Sequence, residues 1–153
     1  MCCSSKVNDT KPQVGHKNRS TKTPLPNDTN KYETGWKNLA KLDGRPIDDP
    51  IEKPTSGYGA FSHEIDRFLK EHLFADIFSR DVLNFADREL TTVSALISIG
   101  GVEPMLGSHM ALAMRQGLTK NQVEEVLVLF EHSVSKTAAD AARKVFAAII
   151  SRN

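Results

Sequence analysis

Two ionisable side chains stand where packing alone would place carbon. Glu89 shares a helical stripe with Val93, Leu96 and Gly100, at steps of four, three and four. His109 shares a face with Met105, Leu106 and Ala113. A Gly100-Gly101 pair separates the two segments, and a helical hairpin across it lets the faces meet. A carboxylate beside an imidazole is a competent acid/base pair, because its charge steadies the imidazolium and orients the ring. Glu103, at the mouth of the same turn, is a third candidate. Plainer roles stand beside these. Glu89 also suits the positive end of its helix or a pairing with Arg88, and His109 also suits a hydrogen-bonded core position.

Other reactive patterns have little support. His63 and His72 are nine apart and share no chelating step of three or four, and Glu131-His132 are neighbours that point to different helix faces. Neither a metal site nor a cofactor is expected from these spacings. Ser94, Ser98 and Ser108 lack the glycine pattern of a nucleophile elbow. Gly100-Gly101 lacks the Lys and Ser/Thr of a phosphate loop. Met105, Met110 and Met114 read as a packing stripe.

The elements that must position these groups are helices. Tyr32, Trp36, Leu39 and Leu42 recur at helical spacing, and Gly44 and Pro46 stop that run. Pro46, Pro50 and Pro54 then predict an extended connection from Asp48 to Gly59. Phe61, Ile65, Phe68, Leu69 and Leu73 form an apolar stripe behind Ser62 as N-cap. A helix carrying Glu89 should open near Asn84 and end at Gly100. The next, carrying His109, should begin with Pro104 as its first residue and end at Gly117. Thr119 to Gln122 is a capping box for a fourth, and a fifth should follow from about Lys136. The reading is an all-α, compact bundle of antiparallel helices with short turns. The last two helices are rich in Ala and Val around much of their circumference, which predicts packing against another copy.

Length and charge set the outer bounds. The 153 residues carry a formal net charge of +1, with 39% hydrophobic and 25% charged residues. That balance argues against a nucleic-acid partner, and no apolar run nears the roughly 20 residues of a membrane span. Residues 1–30 differ from the rest: three prolines, few apolar side chains and a net charge of +3 describe a disordered tail. The domain is therefore expected over 31–153. Cys2 and Cys3 are the only cysteines, too close together to form a useful disulfide. A cytoplasmic protein is expected, with export or lipid anchoring at Cys3 as the alternative if an upstream signal was removed.

The stretches Phe68 to Arg80, Arg88-Glu-Leu-Thr-Thr-Val-Ser-Ala-Leu96 and Gly101-Val-Glu-Pro-Met-Leu-Gly-Ser-His109 resemble the carboxymuconolactone decarboxylase-like family. Gly117-Leu-Thr, the Gly35-Trp36 entry and Leu42-Asp43-Gly44 extend the likeness over roughly residues 31–130. The resemblance implies an all-α, AhpD-like fold that assembles as a dimer, trimer or hexamer and acts on a small molecule. It places Glu89 and His109 at the family's glutamate and helix histidine. One chemistry it implies is decarboxylation of a small carboxylated lactone, a step in which His109 is suited to donate the proton, Glu89 to orient it, Arg88 or backbone N–H groups at the next helix start to hold the anion, and Ser108 to bind substrate. The alternatives are a family member acting on or binding another small molecule and a non-catalytic helical oligomer. The family's thiol peroxidases need a Cys-x-x-Cys pair where this chain reads Gly-Gly-Val-Glu-Pro, so that chemistry has no thiolate to run on. The decarboxylase branch's Tyr-Ala-Gly-x-Pro-like turn is replaced here by Glu131-His-Ser-Val-Ser-Lys136.

Overall fold

The computed structural model describes residues 30–48, 50–51, 54–55 and 57–151. The basic tail with Cys2 and Cys3, and the lipid-anchor reading that rests on it, lie outside them. Among the described residues every regular element is helical: α1 (Lys31–Asp43), α2 (Gly57–Phe61), α3 (His63–Phe68), α4 (Phe85–Ile99), α5 (Glu103–Arg115), α6 (Lys120–Ser133) and α7 (Lys136–Ile150). α3 continues directly into a π-helical segment, Leu69–Ile77, closed by an i→i+5 bond from Phe78 N–H to the Leu73 carbonyl at 3.0 Å.

Local chemistry sets the helix ends. Asn84, Thr119 and Ser135 accept the backbone N–H of Asp87, Gln122 and Ala138, each cap stabilising its helix by about 1 kcal/mol. The Thr119–Gln122 capping box is complete in both directions. Between α4 and α5, Gly100 and Gly101 adopt φ of 68° and 69°, a left-handed turn that side-chain-bearing residues resist. The hairpin therefore closes in three residues. Pro104 occupies the second helical position of α5, one later than the sequence suggested, since Glu103 already has helical geometry.

Helices α4 to α7 enclose one core. Val93 and Ile97 from α4 meet Leu106 and Met110 from α5, Val123 and Leu127 from α6, and Ala142 and Phe146 from α7. The proposed methionine stripe does not exist as such. Met110 is fully buried, but Met105 is 54% exposed. Five residues of α-helix turn the chain by about 500°, leaving the two roughly 140° apart.

α1 packs on the π-helical segment and forms a second buried layer. Trp36, Ala40 and Leu42 on α1 and Phe74 and Ala75 on the π-helical segment are buried. The helices cross so closely at Gly35 that a Cβ there would fall 1.9 Å from the Lys70 carbonyl oxygen. Asn38 Nδ2 donates to the Phe74 carbonyl at 2.7 Å. Gln116 Nε2 donates to the Leu42 carbonyl at 2.8 Å, tying the end of α1 to α5.

Two sequence expectations fail in this region. Part of the Asp48–Gly59 connection is helical, because α2 begins at Gly57. The apolar stripe from Phe61 to Leu73 does not turn inward as one: Phe61 is 86% exposed and Phe68 62%, while Leu69 and Leu73 are half-buried. Inside lie Asp66, Lys70 and Phe74. Steps of four drift by about 40° each on an ideal α-helix. The wider π turn keeps these residues in line, so the buried side is the ionic one.

Candidate active site

The α4–α5 hairpin brings the two singled-out groups into contact. His109 Nδ1 lies 2.7 Å from Glu89 Oε2. The Glu89 side chain is 2% exposed and that of His109 30%. Glu89 is buried because it continues the inward stripe of Val93, Leu96 and Ile97; His109 flanks Met110 and Ala113 at the edge of the core. With Glu89 as a carboxylate, which only accepts, the contact requires Nδ1 to be the donor. Nε2 is then the nitrogen left to exchange protons, on a ring held in one orientation and open to solvent on one side.

The other candidates stand elsewhere. Arg88 is one residue from Glu89 but turned to a different face: its guanidinium donates to the Arg80 carbonyl at 3.0 Å and lies 5.3 Å over the Phe78 ring. Glu89 therefore pairs with His109 and not with Arg88. Burial, and next the nearby Arg80 charge, hold the Arg88 guanidinium below its ordinary pKa. Glu103 and Ser108 line an open groove of about 610 Å³ between α5 and α7, together with Gly107 and Ala111. On the α5 helical wheel that groove and His109 lie on opposite sides of the buried Leu106–Met110 stripe.

These groups sit within a recognisable frame. A model of the carboxymuconolactone decarboxylase family matches residues 63–148, more than half of the chain. The chain belongs to that family. No curated protein matches it in sequence. The family match contains both Glu89 and His109, and it begins at the first residue of α3, so α1 and α2 lie outside the matched region.

Two arrangements escaped the sequence reading. The first is a buried ion pair, Lys70 with Asp66, both 1% exposed, in which Asp66 also accepts the Tyr32 O–H at 2.8 Å. Its i,i+4 spacing was visible as a helical charge pair, but such pairs ordinarily face water. The second is an open groove of about 460 Å³ where α1, α4 and α5 meet. Its lining comes from residues 41 to 116, and no local pattern announces it. Among the described residues no three His, Cys, Asp or Glu side chains gather closely enough to hold a metal ion. No helix among them is long and apolar enough to cross a membrane.

Proposed function

We propose that this family member is an acid/base lyase that removes CO₂ from a small carboxylated lactone, with Glu89 and His109 as its catalytic pair. The observation that carries the reading is the 2.7 Å contact between a buried carboxylate and a half-open imidazole. When the carboxylate carbon–carbon bond breaks, its electron pair passes into a dienolate conjugated with the lactone carbonyl. His109 Nε2–H then delivers a proton to carbon, and Glu89 stabilises the ring through the change in charge. Backbone N–H groups at a helix start are suited to the developing oxyanion. Glu103 and Ser108, on the α5–α7 groove, have no part in this step.

Turnover of γ-carboxymuconolactone followed by absorbance tests the proposal. His109→Ala and Glu89→Gln should each lower kcat by about 10²–10⁴, with the fold retained by circular dichroism. No turnover by the unsubstituted protein, or turnover untouched by His109→Ala, sinks it. One observation favours a second reading, in which the same pair acts on a different small molecule: Arg88, the side-chain cation nearest in sequence, is turned away and held by the Arg80 carbonyl. Exchange of solvent deuterium into a panel of unsaturated acids would reveal that activity. The same proposal treats 31–153 as one domain and has copies associate as a dimer, trimer or hexamer. Val128 and Leu129, exposed on α6, and Phe61 and Phe68 support self-association.

A further inference from the structure

The open groove of about 460 Å³ where α1 ends against the start of α4 has a composition of its own. Phe78 and Phe85 form one wall, edge to face with centroids 5.2 Å apart. Lys41 Nζ stands 5.2 Å over the Phe85 ring, and Arg80, whose Nε donates to the Asp76 carbonyl at 3.1 Å, is also in the lining. Neither cation is in an ion pair among the described residues, whereas Lys31, Lys37 and Arg45 around them each hold a carboxylate. Arg88 adds a third positive charge behind Phe78 and fastens the Arg80 backbone in place. Asp81 is the one acidic side chain in the lining. The volume lies within the roughly 300–1,000 Å³ of small-molecule sites.

We infer that this groove binds a small organic anion, an aromatic or unsaturated carboxylate, with its flat body on the Phe78–Phe85 wall and its carboxylate between Lys41 and Arg80. Two cations without a carboxylate partner, beside an apolar wall, select a ligand that is charged at one end and flat at the other. The site lies on the seam that holds the acid/base pair: Phe85 is one turn before Glu89 on α4, and Gln116 in the lining is about two turns beyond His109 on α5. Binding here does not depend on the proposed lyase chemistry.

Nuclear magnetic resonance titration of the full chain with benzoate tests the site. Saturable shifts are expected in the backbone amides of Leu83, Phe85 and Ala86. Lys41→Ala/Arg80→Ala replaces two side chains on the outer surface and should weaken binding by about tenfold or more. Asp81→Asn should tighten it, and added salt should weaken it. His109→Ala should bind benzoate as the unsubstituted protein does, even where turnover is lost. Equal binding of neutral benzamide would overturn the inference, because the cations would then be idle. Inorganic phosphate binding as well as benzoate would overturn the assignment to a flat carboxylate. Shifts confined to another face, or binding unchanged in the double variant, would overturn the site itself.

Discussion

Replacing Lys70 by Met should be among the most damaging single changes available in this chain. The Lys70 ammonium and the Asp66 carboxylate are shut from water together, each 1% exposed. Besides Lys70, Asp66 has the neutral Tyr32 O–H at 2.8 Å. Lys70 Nζ also lies 5.1 Å over the Tyr32 ring and 5.2 Å over that of Trp36. Lys70→Met keeps most of the volume but leaves the Asp66 charge buried with one neutral hydrogen bond. Breaking such a pair costs about 3–5 kcal/mol. Lys70→Met/Asp66→Leu removes both charges, so the desolvation of each is no longer opposed by folding. Its residual cost is the lost Tyr32 hydrogen bond, about 1 kcal/mol. Urea unfolding followed by Trp36 fluorescence reads both. With a slope of about 2 kcal/mol/M, the single variant should lose roughly 2 M of midpoint and the double should regain most of it. A single variant within 1 kcal/mol of the unsubstituted protein, or a double no better than the single, would refute the reasoning.

Two further perturbations address packing and surface charge. Gly35→Ala sets a Cβ 1.9 Å from a backbone oxygen and should separate α1 from the π-helical segment. It should cost at least about 1–3 kcal/mol, and an unchanged thermal midpoint would contradict the close crossing. At the start of α7, Arg143 and then Lys136 hold the Glu131 carboxyl below its ordinary pKa. Lys136 holds Asp140 below its own, and Lys136 is raised chiefly by Asp140 and next by Glu131. Depressed carboxylates stabilise the fold above about pH 4 and lose that contribution as pH falls through their folded values. The raised Lys136 stabilises below about pH 10 and loses its contribution as pH climbs through its folded value. The cluster is exposed, so the effect is small and salt-sensitive. The thermal midpoint of Glu131→Gln should therefore lie below that of the unsubstituted protein near pH 7 and converge with it in acid or in 0.5 M salt. A gap that persists under both conditions would exclude the ion pairs as its cause.

The pairing of Glu89 with His109 was legible because both signals were local. Each residue interrupts an apolar stripe, and Gly100-Gly101 marks the turn that folds one stripe onto the other. The helix starts at Asn84, Thr119 and Ser135 were equally legible, since a cap is a contact across three residues. The stripe from Phe61 to Leu73 misled for a related reason. Periodicity identifies an amphipathic segment but not which side faces in, and here the segment leaves α-helical geometry partway along. Arg88 could not be placed from sequence either. Its direction depends on where the Arg80 carbonyl and the Phe78 ring come to rest, eight and ten residues earlier across a non-helical turn.

By itself the sequence determined the all-helical fold, the family, and the residues with the chemistry for an acid/base step. These follow from periodicity, caps and motifs, each written in neighbouring residues. Tertiary structure alone decided that Glu89 is sealed while His109 stays open. It put Glu103 and Ser108 on another face, buried an ion pair beneath Trp36, and brought Lys41 and Arg80 into one groove with Phe78 and Phe85. Such outcomes depend on how helices cross, on one glycine close enough for backbone contact, and on which charges find partners when distant segments meet.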